Sequence, residues 1–365
     1  MGPRTFLLVR CLLVRWAGHI ESRSGREALP LGPAEPWYEY EEQMSPVLIL
    51  LLLSVPLTAA GNLIAGRYAL DSFSPAQANA LRYLLALLLL APMLRRWPAP
   101  SRRELPILAT TGILGICVYN LLFFRALKII PASEAGLLEM TIPAASLFLA
   151  WLFLRERVSR RQIVGMVISW CGTIWLLRII PAEAATAKPP GAWRGEALML
   201  TAVAIFAVYS IVSKFAMARL PPPAVATWSC LFGCIPLLAL TVPAFVTEPS
   251  VLSGASVASW LGVVYGGVVG FVYNIIAWYY CFRRVGVART NIFLYLVPIF
   301  GALMAVPIFN ERLTGWQIFG AAITTFGVVL ATAQSRRAAS PAAEAAVPAA
   351  APAEAAGRAP DLRQG

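Results

Sequence analysis

The sequence predicts an all-α integral membrane protein of ten transmembrane helices, arranged as two inverted five-helix repeats. Three observations carry that prediction. Hydrophobic residues make up 59% of the chain and charged residues 13%, far from the balance of a soluble domain. Ten apolar stretches reach or approach the roughly 20 residues needed to cross about 30 Å of hydrocarbon. Finally, Pro143, Glu156, Arg157, Gln162, Gly165 and Gly172 recur at one constant offset as Pro298, Glu311, Arg312, Gln317, Gly320 and Gly327. With an odd number of spans in each unit, the second copy enters the bilayer upside down.

The first repeat, residues 44–180, has spans expected at 45–66, 76–94, 105–126, 132–154 and 162–180. A linker, 181–194, leads to the second repeat, 195–335, with spans at 195–218, 224–245, 257–281, 288–309 and 316–333. Apolar runs on every face, such as residues 84–91, exclude the alternation of a porin-like barrel. Residues 1–43 precede the first span and lack a small-residue cleavage site after the apolar stretch 6–14. They read as an over-called start or disordered leader, with a transit segment or interfacial helix as alternatives. The Ala/Pro-rich tail, 336–365, cannot bury apolar surface and reads as disordered.

Arginines set the expected orientation, because short basic loops stay in the cytoplasm. Arg95, Arg96, Arg102 and Arg103 precede span three, Arg155, Arg157, Arg160 and Arg161 follow span four, and Arg283, Arg284 and Arg289 precede span nine. Both termini are thus expected in the cytoplasm, in the inner membrane of a bacterial cell. A net charge of +12 is explained by these loops against an anionic leaflet; no polar basic domain for nucleic acid is present.

Chemistry is narrowed by what the spans lack. The single histidine, His19, lies in the leader, so neither a histidine metal site nor a Ser-His-Asp triad is available in the spans. There is no Walker A sequence and no Cys-x-x-Cys; Cys230 and Cys234, one helical turn apart, read as packing residues. The chain is not expected to be an enzyme, and no metal or cofactor is expected.

What remains are polar residues where they are expensive, and these are functional candidates by default. Arg82, Asn120 and Glu139 share an expected depth of ~10 Å from the outer side, at ~1.5 Å per residue. They can meet in one cluster, with an Arg82–Glu139 pair either locking helices together or receiving a charged solute or proton. Glu134, one turn nearer the surface, is a gate candidate or a solvated end. Asn62 either bonds a neighbouring helix or lines the pathway. In the second half Tyr209, Ser210, Ser213, Asn274 and Tyr295 form a different set without carboxylates. Pro143 and Pro298 break the hydrogen-bond ladder of spans four and nine, marking hinge candidates. Gly112 with Gly115, and Gly267 with Gly270, correspond between the repeats and suit close helix packing.

These residues resemble the drug/metabolite transporter superfamily, and within it the EamA-type bacterial transporters. The resemblance rests on Gly61-Asn62, Gly66-Arg67, Leu81-Arg82, Tyr119-Asn120, Ala132-Ser133, Pro143, the run Leu154-Arg155-Glu156-Arg157, and Asn310-Glu311-Arg312-Leu313. It covers roughly residues 44–333. Glu139 departs from it, standing where relatives more often carry Asn, Ser or apolar residues. The resemblance implies a ten-helix inner-membrane carrier, often an exporter of amino acids and related metabolites, with a central cavity lined by both halves. Inverted repeats independently suggest alternating access. The expected function is a secondary transporter of small metabolites, working as an exporter in the bilayer. Proton coupling and a monomer or homodimer remain options. A drug or nucleotide-sugar carrier, or a non-transporting membrane scaffold, are the alternatives.

Overall fold

A computed structural model describes residues 46–94, 99–154, 158–176, 191–217, 220–285, 293, 296–311 and 313–332. The expected leader, most of the linker, the tail, Glu156, Arg157, Arg312 and Tyr295 lie outside these residues. The described elements are helices: α1 (Pro46–Ala69), α2 (Pro75–Leu94), α3 (Leu105–Leu127), α4 in two pieces (Ala132–Glu139 and Ile142–Leu154) and α5 (Arg160–Leu176). Then come α6 (Ala192–Met217), α7 (Pro222–Thr247), α8 (257–285), α9 (Leu296–Phe309) and α10 (Gly315–Thr332). A one-turn helix, Ser250–Gly254, joins α7 to α8.

Among the described residues, six helices are long and apolar enough to cross a membrane: α1, α3, α4, α6, α7 and α8. Ile299–Phe309 and Gly315–Ala331 are shorter apolar helices. Six clear candidates thus stand against the ten expected spans. For α9 the reason is that its described part begins at Leu296, beyond the expected start.

Local chemistry explains the helix starts. Three capping boxes of the Ser/Thr-x-x-Gln type open α2, α5 and α10. Gln77 Oε1 accepts from the Ser74 N–H at 2.9 Å, and Ser74 Oγ accepts from the Gln77 N–H at 3.3 Å. Ser159 with Gln162, and Thr314 with Gln317, make the same reciprocal bonds. The repeated glutamines are therefore caps. Asn310 ends α9 with φ +50, a left-handed conformation that Asn tolerates.

Packing pairs each helix with helices of the other repeat. α1 packs on α8 and α9, and their counterparts α6, α3 and α4 pack likewise; α2 meets α7, α4 meets α9, and α5 meets α10. The α5–α10 contact runs antiparallel. A Cβ on Gly165 would meet the Gly327 carbonyl at 2.6 Å, while one on Gly172 would meet the Gly320 carbonyl at 2.9 Å. Gly165 and Gly320 are repeat mates, as are Gly172 and Gly327, so the two helices cross about a local twofold axis. Small residues let these backbones touch where hydrophobic transfer gives little drive between helices.

Both α3 and α8 widen into a π-helical stretch at matching positions, Gly112–Val118 and Tyr265–Tyr273. Such segments interrupt the regular ladder and often sit at functional sites. In α4 the chain breaks at Met140 and Thr141, where the amides bond three residues back, to Leu137 and Leu138. Pro143, lacking an N–H for the Glu139 carbonyl, follows in the first turn of the second piece. One prediction follows from the glycine contacts. Gly165→Val should cost ~1–3 kcal/mol by overpacking against backbone that cannot yield, read as a lower melting temperature in detergent. Gly254→Val, with nothing within 4 Å of its Cβ, should leave the melting temperature unchanged.

Candidate functional site

Arg82 is carried by α2 to its crossing with the π-helical stretch of α8, where the Arg82 carbonyl would lie 2.5 Å from a Cβ on Gly267. The glycine is required for that approach. Arg82 is only 4% exposed. Its guanidinium carbon lies 4.7 Å from the Tyr83 ring centroid and 4.9 Å from that of Phe124, and Nη2 donates to the Tyr83 hydroxyl at 3.2 Å. Nε and Nη1 are buried and have no acceptor among the described residues. Removing the partner of a buried charge typically costs ~3–5 kcal/mol, so this arrangement is expensive, and the aromatic faces offset only part of it.

Glu139 is held differently from the expected pair. Its Oε1 accepts from the Tyr119 hydroxyl at 2.5 Å, and among the described residues it forms no ion pair with Arg82. The reason is positional: Glu139 ends the first piece of α4 where Tyr119, in the turn after the π-helical stretch of α3, reaches it first. Tyr119 also packs edge-on to Phe206 of α6 at 4.9 Å. Asn120 is buried and donates to the Gly115 carbonyl at 2.8 Å, and Asn79 donates to the Asn120 carbonyl at 3.2 Å. It thus ties the π-helical stretch of α3 to α2 rather than meeting Glu139.

The seam between α1 and α8 is polar along much of its length. Asn274 donates to the Val55 carbonyl at 2.8 Å and to Thr58 Oγ1 at 3.1 Å. Ser54 Oγ and the Tyr273 hydroxyl share a 2.7 Å bond. The Asn62 Oδ1 is buried without a donor among the described residues, and a Cβ on Gly270 would lie 2.7 Å from it. Gly115, the mate of Gly270, packs against the Tyr209 ring. Asn62 and Tyr209 therefore occupy matching places in the two halves.

Glu134 is buried in the first turn of α4. Above it, Glu311 of the other repeat accepts from the Ala132 and Ser133 N–H groups, both at 2.8 Å. Both carboxylate oxygens thus satisfy orphan donors at the helix start, which joins the two repeats at the expected outer face. Pro298 falls in the first turn of the described part of α9. Among the described residues no cluster of three or more His, Cys, Asp or Glu could hold a metal ion.

Sequence reasoning placed Arg82, Asn62 and Asn120 among the candidates but did not single out Gly266, nor Glu311 as a cap. A Cβ on Gly266 would lie 3.3 Å from Asn62 Oδ1 and 3.6 Å from Arg82 Nε. Setting the repeats in register pairs Gly266 with Thr111, a signal visible in the sequence.

The comparisons with known proteins fit this architecture. The profile of the EamA-like transporter family matches residues 46–178 and again 193–333. A probable terminal-alkyne amino-acid exporter of Streptantibioticus cattleyicolor is 29% identical over 79% of this chain and 94% of its own length. The uncharacterized transporter YyaM of Bacillus subtilis is 22% identical over 78% of this chain and 93% of its own. The aromatic amino acid exporter YddG of Ancylobacter novellus is 28% identical over 62% and 76%. One crystal structure superposes with a TM-score of 0.53 at 23% identity, covering 80% of this chain and 99% of its own, which shows a shared fold. Two matches of one family profile, each spanning five of the helical elements, establish that this chain belongs to the EamA-like transporter family.

Proposed function

We propose that the protein exports small metabolites, amino acids or related compounds, across the cytoplasmic membrane by alternating access. In this reading ten spans cross the bilayer, with both termini in the cytoplasm. The observation that carries the reading is Arg82: a buried guanidinium without an acidic partner among the described residues, held between helices of opposite repeats. Transporter sites are expected at that interface. An anionic group of the solute supplies the missing acceptor, and the sealed position of Arg82 requires helices to part before a solute arrives. The break in α4 before Pro143 lets its two pieces move separately, while the Glu311 cap ties the outer end of α4 to the second repeat. The names of the S. cattleyicolor and A. novellus relatives support amino acids as the solute class. Glu139, bonded to Tyr119, is the candidate counter-ion or proton-coupling group.

The test pairs transport with stability. Metabolite-resolved export is measured in cells overexpressing the chain and Arg82→Met at matched membrane abundance, and both proteins are melted in detergent. The expected outcome is a solute class that accumulates outside with wild type and falls to the background of empty cells with Arg82→Met. The melting temperature of the variant should be equal or higher, because an apolar side chain of similar length replaces an unpaired charge. A melting temperature lowered by several degrees with export intact would make Arg82 a structural residue.

A further inference from the structure

We propose that Arg82, Asn62 and Gly266 form a head-group subsite for a zwitterionic 2-amino carboxylate, with the carboxylate on Arg82 and the protonated amine on Asn62. This rests on the carrier reading above and names the chemistry its solute must present. Among the described residues Arg82 Nε and Nη1 are donors without acceptors, and Asn62 Oδ1 is an acceptor without a donor. They arrive from different helices, α2 and α1, and converge on one bare stretch of α8 backbone. A single point, the position of a Cβ on Gly266, lies 3.3 Å from Asn62 Oδ1 and 3.6 Å from Arg82 Nε.

The other half of the molecule shows what this place looks like when it is closed. Gly112 packs on the Ser229 carbonyl as its mate Gly267 packs on that of Arg82, so Ser229 and Arg82 occupy matching positions. Thr111 is the mate of Gly266. Thr111 Oγ1 and Ser229 Oγ bond each other at 2.7 Å, and the pair is complete. In the half that holds Arg82, the threonine is replaced by glycine and the serine by arginine, and the polar groups no longer satisfy each other. The pseudo-symmetry is broken toward an open donor and an open acceptor.

Complementarity selects the ligand. A simple anion satisfies Arg82 but, with the Asn62 amide in the orientation it holds here, sets a lone pair against Oδ1. A simple cation satisfies Asn62 but faces the guanidinium. A carboxylate and an ammonium on one carbon satisfy both within the short span that separates the two protein groups. The Tyr83 and Phe124 rings cover the guanidinium, which holds it in place for the carboxylate.

The experiment uses the full chain in proteoliposomes. Counterflow of isotope-labelled proteinogenic amino acids, read by mass spectrometry, identifies the exchanged one. Competition is then measured with its analogue lacking the amine and its analogue lacking the carboxylate. Each should compete at least ~100-fold more weakly than the amino acid, as expected where a buried polar group loses its partner. Asn62→Ala should bring the analogue without the amine level with the amino acid. Asn62→Ser, which keeps an acceptor, should restore part of the preference and exclude a folding defect as the cause. Gly266→Ala, which sets a methyl group between the two polar residues, should weaken exchange by ~10-fold.

The inference is overturned if the analogue without the amine competes as well as the amino acid in wild type, or if Asn62→Ala leaves the ranking unchanged. Arg82-dependent exchange of a solute that is not an amino carboxylate would overturn this inference and leave the carrier reading standing. Absence of flux for every solute in the export screen would remove the carrier reading itself.

Discussion

Close contact between helices of opposite repeats is the constraint on which the other features of this protein depend. In a bilayer the helices gain little from hydrophobic transfer against one another, so their association relies on packing at short range. Glycines supply it at symmetric points: Gly165 and Gly172 against α10, Gly112 against α7, Gly267 against α2. Each is the place where a side chain would collide with backbone. The same contacts that hold the halves together also fix the depth and direction of Arg82, since Gly267 lies on its carbonyl. Fold and site therefore share one set of interactions.

A symmetric scaffold alone would give two equivalent polar crossings. One of them is complete, with Thr111 and Ser229 bonded to each other. At the other, Arg82 is buried against aromatic faces with two nitrogens unpartnered among the described residues, and Asn62 stands where Tyr209 stands in the other half. A protein selected only for stability would not keep such a charge, because an apolar residue there is better tolerated. The cost is consistent with a group kept for a solute, in the way that active sites depart from local optimality. Glu139 is the contrasting case, since its Oε1 already accepts from the Tyr119 hydroxyl.

The architecture was legible in the sequence because its signals are repeated. Apolar length identified the helices, and the recurrence of Pro143, Gln162, Gly165 and Gly172 identified the repeats. The structure supplies physical roles for these residues: a helix break, capping boxes, and antiparallel glycine contacts. Arg82 was legible as a charge inside a largely apolar helix. The absence of the expected Glu139 pairing was not, because depth along a helix says nothing of the direction a side chain takes. Arg82 and Glu139 share an expected depth, yet Tyr119 intercepts the carboxylate. Gly266 was hidden for a different reason. A glycine carries no chemistry of its own, and only comparison with Thr111 shows that a side chain is missing there. Glu311 was visible as a repeated landmark, but its use as a cap for α4 depends on tertiary contact between halves that sequence spacing does not reveal.

The most direct test of the account is an experimental structure of the protein with its exchanged solute bound, determined by cryo-electron microscopy in lipid nanodiscs. The account predicts density for the solute head group between Arg82 and Asn62 beside Gly266, with Arg82 Nε within hydrogen-bond distance of a ligand oxygen. Solute bound elsewhere, with the Arg82 guanidinium paired to a carboxylate of the protein, would contradict it.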